Sequence, residues 1–221
     1  MIARDFVEAV LSALLSPPCA ACGCVLDRPL DGAVCAACWS SIVPAGSSFS
    51  LDRIARARAL GPYEGTLRSV LHALKYDRRR SIAPPLSRMM AAHGADVLRD
   101  ADLVVPVPLH RRKQRARGFN QAEDLARGLG LPVVRALKRV RATAPQIDLS
   151  REERAANVRD AFVPRSGRTE DRPLQGLVIV LVDDVATTGA TLEACARVLK
   201  RAGASDVRAL TAARVVNAQR R

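Results

Sequence analysis

VIVLVDDVATTGAT runs from Val178 to Thr191. Its first five residues are apolar and mostly β-branched, too short a run for an ordinary helix and suited to a strand buried on both faces. Asp183 and Asp184 follow where that strand is expected to end. Ala186, Thr187, Thr188, Gly189, Ala190 and Thr191 then make a loop of small and hydroxylated residues. A helical pattern begins next, with Leu192, Cys195, Ala196 and Leu199 on one face. In an open α/β sheet, ligands sit just past the carboxyl ends of the strands. Backbone N–H groups at the start of a helix seat a phosphate. The threonine hydroxyls add donors, and Gly189 lets backbone approach the ligand closely. Phosphate on the loop and vicinal hydroxyls on the acid pair together describe a phosphorylated sugar. Two acids at a strand end also suit a magnesium site or a solvated edge. A P-loop ATPase is excluded, because no GxxxxGKS/T run occurs; nor does the dinucleotide-binding GxGxxG.

The 221 residues and 48% apolar content allow one main domain and a small accessory. A net charge of +13 asks for a polyanionic partner or an anionic substrate. Arginine supplies 31 of the 35 basic residues. Between Arg111 and Arg159 there are 13 basic and five acidic residues, a local surplus of eight. No segment reaches the roughly 18 apolar residues of a membrane span. Ala9 to Leu15 could pass for a signal-peptide core, but Asp5 and Glu8 interrupt it, and an amphipathic helix with Phe6, Val10, Ala13 and Leu14 on one side fits better. A cytoplasmic protein is expected.

Cys19-x2-Cys22 and Cys35-x2-Cys38, 12 residues apart, have the spacing of a four-thiolate zinc site. Disulfides or free thiols are the alternatives, and a cytosolic setting disfavours the first. Four thiolates close the coordination sphere, so such a zinc is structural. Cys24 is a spare at poorer spacing. Residues 44–50 read as a linker, which divides the chain into residues 1–46, a helix and four-cysteine module, and residues 51–221. In the second part, Leu67, Val70, Leu71 and Leu74 line a helix after Gly65, with His72 among its polar positions. A second helix is expected from Pro84 to Leu98 and a strand from Leu103. That strand leads into a basic, anion-binding loop with Arg111, Arg112, Lys113, Arg115 and Arg117, five cations in seven residues, able to neutralise a pyrophosphate. A helix is expected from Phe119 through Leu129. Residues 137–162 read as a mobile, charged excursion of the kind that closes over reactive substrates. A last strand spans residues 207–216.

PPCAACG with the later CAAC, the helix ending LKYD, VVPVPLHRRKQRARGFNQAEDLA, TAPQIDLSREERAANVRDAF and VLVDDVATTGAT together resemble the ComF family. The series Thr143, Gln146, Arg154 and Asn157 belongs to that resemblance; Cys24 departs from it. The resemblance implies an α/β protein of the type I phosphoribosyltransferase fold, a mainly parallel sheet with flanking helices. A small zinc-ribbon-like module would stand in place of the usual base-binding hood. It implies that Asp183 and Asp184 hold the ribose 2′ and 3′ hydroxyls of phosphoribosyl pyrophosphate (PRPP). Residues 186–191 would hold its 5′-phosphate, and Arg111, Arg112 and Lys113 with magnesium its pyrophosphate. Two function classes follow. One is a PRPP-binding protein that supports DNA uptake and natural transformation, with single-stranded DNA and DNA-processing competence proteins as partners. The other is an active phosphoribosyltransferase of nucleotide metabolism, moving a pentosyl group to an unidentified acceptor. The basic segment favours the first. The aromatic content of 3% opposes it, because single-strand binders stack bases on aromatics. No residue stands out as a general base.

Overall fold

The computed structural model describes residues 18–45, 48–141, 160–165 and 174–216. The expected N-terminal helix, the family-like series from Thr143 to Asn157 and the basic tail at Arg220 and Arg221 lie outside them.

A cysteine-bearing head carries helix α1 (Ala36–Ser41). Strands β1 (Ser48–Leu51) and β2 (Ile54–Pro62) follow as an antiparallel pair, then helix α2 (Gly65–Tyr76). Helices α3 (Ala83–His93) and α4 (Ala95–Leu98) lead to strand β3 (Leu103–Pro106). Helices α5 (Arg111–Arg117) and α6 (Gln121–Ala126) come next, then the short strands β4 (Leu137–Arg139) and β5 (Phe162–Pro164). Strand β6 (Val178–Ala186), helix α7 (Ala190–Arg201) and strand β7 (Asp206–Arg214) complete the order. The main sheet runs β1-β2-β7-β6-β3 and is parallel except for β1. β4 and β5 form a separate antiparallel pair at the base of the charged excursion.

β6 is an inner strand between β7 and β3, buried on both faces as its β-branched run requires. Val180 and Val182 join an apolar cluster with α2, α3, α6 and the cysteine head, while Ile179 and Leu181 face α7 and the β4–β5 pair. Cys19, Leu26, Val34, Cys38 and Ile42 share the first cluster with Leu67, Val70, Leu71 and Leu74 of α2, so the head packs on that helix.

Four expectations change. β6 continues to Ala186, because its ladder with β7 runs on through Asp183↔Thr211 and Val185↔Ala213; both acids lie inside the strand. The expected helix from Pro84 to Leu98 breaks at Gly94, where a Cβ would stand 2.6 Å from the Leu210 side chain of β7. The five-cation segment is a helix rather than a loop. The His110 Nδ1 accepts from the Arg112 N–H at its start, and Gly118 in the left-handed region ends it. The helix after it stops at Ala126, three residues short of Leu129.

α2 lies across the carboxyl edge of the sheet. It starts from the end of β2, where the Tyr63 N–H donates to the Arg214 carbonyl of β7. The residues just beyond its other end reach the segment after β3: Arg78 donates to the Ala116 carbonyl and Arg80 to Asp124. Strands β7 and β6 lie between those ends in the sheet order. The head grips both ends of this helix. Ser41 Oγ donates to Thr66 Oγ1 at 2.9 Å, and Arg79 donates to the Pro18 carbonyl at 2.8 Å.

Candidate functional site

At the carboxyl edge, β6 passes through Asp183, Asp184 and Ala186 into a short turn and α7. Gly189 stands at the N-cap of α7 with φ +83°, a conformation glycine adopts freely. Having no side chain, it caps nothing. The Ala190 N–H donates to Thr188 Oγ1 at 3.4 Å, and among the described residues no other side chain caps the start of the helix. A Cβ on Gly189 would stand 2.3 Å from Leu51 Cδ2, so the β1–β2 turn closes one side of the loop. Asp52 strengthens that closure by donating its N–H to Glu193 at 3.3 Å. Thr187 is exposed, while Thr188, Ala190 and Thr191 are half-buried.

Strand alternation sends the two acids to opposite faces of the sheet. Asp184, 5% exposed at its side chain, is ion-paired with Lys75 from the end of α2, and its Oδ1 accepts from the Val185 N–H. Asp183 faces Arg139 of β4 and Cys195 of α7. Burial raises the Asp183 carboxyl to about 6, against the pull of Lys75 and Arg139. The buried Cys195 thiol is pushed well up by the same desolvation and by Asp183. Lys75 is lowered to about 8, by burial first, opposed by Asp183, with Arg117 and Lys113 adding to the fall. Lys113 is also lowered, by partial desolvation and by Arg139 and Arg117. Burial depresses Arg117 and Arg139 as well. Cations that lower one another around a single carboxylate make an electropositive site.

Lys113 and Arg112 are both exposed on α5, and of the two only Lys113 acts on Lys75 and is itself lowered by Arg139. Arg111 lines a cavity of about 580 Å3 beside the end of β3, with Glu123, Arg135, Lys138, Arg139 and Arg165 among its walls. Sequence spacing counts Arg117 among five cations without singling it out, and it assigns neither Lys75 nor Arg139 to this edge. One signal was present: a chain that uses arginine almost everywhere places a lysine, a compact point charge, at position 75. His72 is exposed on α2 and stacks near Tyr76. The RGFNQ run is an anchor for this edge. Asn120 caps α6 through Ala122 and donates to the Val107 carbonyl at 3.0 Å, Gln121 accepts from Arg117, and Phe119 lies under the Arg80 guanidinium.

The second candidate site is in the head. The sulfurs of Cys19, Cys22, Cys35 and Cys38 all lie within 4.8 Å of one another. A tetrahedral zinc with bonds near 2.3 Å needs sulfurs about 3.8 Å apart, and Cys22 and Cys35 are at 3.9 Å. The donor set therefore fits zinc. Amide donors support it: the Cys35 N–H points at Cys19 Sγ at 3.3 Å and the Cys38 N–H at Cys35 Sγ at 3.5 Å. Burial opposes the Cys19 thiolate, yet the amides of Cys22, Cys35 and Ala21 bring it down to about 6. Cys24 lies 3.3 Å from Cys22 but outside the tetrad, and its thiol is pushed up to about 12 by Cys22 and Cys35. Among the described residues, no helix is long and apolar enough to cross a membrane.

Residues 115–220 match the phosphoribosyl transferase domain family. The chain is 39% identical over 162 residues to DNA utilization protein YhgH of Salmonella typhimurium, covering 69% of each chain. Against competence protein F of Haemophilus influenzae it is 31% identical over 158 residues, 67% of this chain and 68% of that one. Against competence protein ComFC of Bacillus subtilis it is 30% identical over 149 residues, 66% of this chain and 58% of that one. Among solved structures it is similar to a purine phosphoribosyltransferase from Pyrococcus horikoshii, at 19% identity over 62% of this chain and 70% of that one, with a TM-score of 0.35. It is also similar to an allosteric regulatory enzyme of purine biosynthesis, at 22% identity over 59% of this chain and 26% of that one, with a TM-score of 0.38. The chain belongs to the ComF family, and its mostly parallel sheet carries a type I phosphoribosyltransferase domain.

Proposed function

We propose that the protein binds PRPP with magnesium at the carboxyl edge of β6 and serves in the handling of incoming single-stranded DNA during DNA uptake. The observation that carries the PRPP reading is the sequence of groups along one edge: acid pair, uncapped glycine-led turn, helix α7. In this reading the turn from Ala186 to Thr191 holds the 5′-phosphate and Asp183 and Asp184 serve the ribose hydroxyls. Lys113 takes the pyrophosphate, with Arg111 and Arg112 on the same helix. The names of the relatives support the DNA role, and so does the basic surface of α5. In the head, Cys19, Cys22, Cys35 and Cys38 hold one structural zinc.

If the bound PRPP is turned over, its C1–pyrophosphate bond breaks through an oxocarbenium-like state. The cations beside Asp183 then stabilise the leaving group. The cavity beside Arg111 favours this second reading, since about 580 Å3 is the size of a small-molecule site. Calorimetric titration with PRPP and magnesium tests binding. Mass spectrometry of the small molecules left after incubation tests turnover. Binding without any ribosylated or hydrolysed product supports the first reading, and a ribosylated product establishes the transferase. Absence of heat at millimolar PRPP removes both.

A further inference from the structure

Asp184 is the more enclosed of the two acids and has a partner of opposite charge from a different part of the fold. Lys75 reaches it from the far end of α2, and the side chains are 15% and 5% exposed. An isolated carboxylate so deep in the sheet would take up a proton rather than stay charged. A protonated Asp184 offers a ribose hydroxyl a weaker, neutral acceptor. Lys75 has no need of Asp184 for packing: its apolar neighbour Leu74 already fills the core, and the Tyr63 ring lies 6.0 Å from its ammonium. The pair is also set where the helix ends, at the point to which Arg78, Arg79 and Arg80 anchor it.

We propose that Lys75 is a positioning residue for PRPP: it holds Asp184 ionised and aimed along the edge of β6, and acts on the ligand only through that carboxylate. This rests on the reading of the edge as a PRPP site. Every charged group facing the pair enters the balance. Asp183 adjoins Asp184 on β6, Lys113 and Arg117 approach from α5, Arg139 from β4, and Tyr63 precedes α2. The α5 cations act on Lys75 itself, and Arg139 of β4 acts on Asp183. Besides the Val185 N–H, Lys75 is the partner of the Asp184 carboxylate and its one counter-charge in direct contact among the described residues, so its removal is not made good by the other cations.

The test is PRPP affinity, with magnesium, from pH 6 to pH 9 for wild type, Lys75→Met and Lys75→Met with Asp184→Asn. Lys75→Met should bind at least tenfold more weakly than wild type at pH 6.5 and recover as rising pH ionises Asp184. The double variant should be weak at every pH, with no recovery. A constant loss across the range in Lys75→Met, or affinity equal to wild type, overturns the proposal. A second measurement needs no variant of the pair. The chain has four lysines, so selective labelling of their ammonium groups lets NMR follow Lys75 in the intact protein. Saturation with magnesium PRPP should move that resonance, and an unmoved resonance at saturation overturns the proposal. Failure of the wild type to bind PRPP at all is a separate result, and it removes the reading of the edge rather than the ion pair.

Discussion

Asp183 and Asp184 are neighbours in sequence and opposites in environment, which separates their variants. Solvent-facing acids at a strand end would be replaceable together without cost, but here Asp184 is enclosed and paired. Asp184→Asn leaves a buried lysine without its counter-charge and should lower stability. Asp183→Asn should not. Its carboxyl titrates near 6 in the fold, above the ordinary 3.8, so the folded state disfavours the ion at neutral pH. The sign follows: the wild type gains stability from this group as pH falls through 6 towards 3.8, and asparagine escapes the penalty above 6. Asp183→Asn should therefore match or exceed the wild-type melting temperature at pH 7.5. It should nevertheless lose about 1.5–3 kcal/mol of PRPP affinity, the worth of a charged acceptor. A melting temperature several degrees below wild type would show that Asp183 holds the fold. The two shifts also bound the working range. Asp183 is ionised above about 6 and Lys75 is charged below about 8. Intact-protein PRPP binding should fall off on both sides of that window, and in Asp183→Asn the acidic limb should retain only the titration of PRPP itself.

At the scale of elements, the turn before α7 and the helix α2 do different work. Gly189→Ala puts a left-handed conformation on a residue that resists it, worth about 1–2 kcal/mol, and presses a methyl towards Leu51. Chemical denaturation should show that loss, with a larger fractional loss of PRPP affinity because the loop and the β1–β2 turn must move apart. Unchanged affinity would place the phosphate elsewhere. α2 is held by the head at Thr66 and at Arg79, so a metal held by the four cysteines should set the position of Lys75. Stripping that metal under reducing conditions should lower the melting temperature and weaken PRPP binding together; retained PRPP affinity would detach the head from the site. Much of this was legible in the chain. The β-branched run, the turn and the helix of residues 178–199 declare a buried strand leading through a glycine turn into a helix, and the two CxxC pairs declare their cluster, because local spacing determines each. The end of β6 was not legible, since it depends on how far β7 pairs alongside. The helical form of residues 111–117 was hidden by charge, for a short helix with no buried side chain has no apolar period to read. Lys75 was hidden by topology: nothing near it in sequence shows that α2 crosses to Asp184.

For the whole molecule, the question is whether a charge of +13 serves one small ligand or a polymer. Lys75 and Arg139 act on Asp183, Lys113 and Arg117 on Lys75, and Arg111 lines the neighbouring cavity. Arg139 was expected on the excursion, away from PRPP; it stands in β4 against Phe162 and beside Asp183, so Arg139→Gln should weaken PRPP rather than spare it. Arg115 and Arg141 are exposed and have no such place. Single-stranded DNA binding should weaken with salt at a slope of about −0.7 per phosphate neutralised. Replacing Arg115 and Arg141 by glutamine should flatten that slope by about 1.4 units while leaving PRPP affinity nearly intact. The aromatic content of 3% leaves few platforms for base stacking, so this binding should tolerate changes of base sequence and depend almost wholly on salt. If the two substitutions alter neither the slope nor the affinity at low salt, the exposed arginines are a solvated face of an arginine-rich chain. The cations that matter are then those around Asp183, and their number suits a diphosphate leaving group, which is the transferase reading.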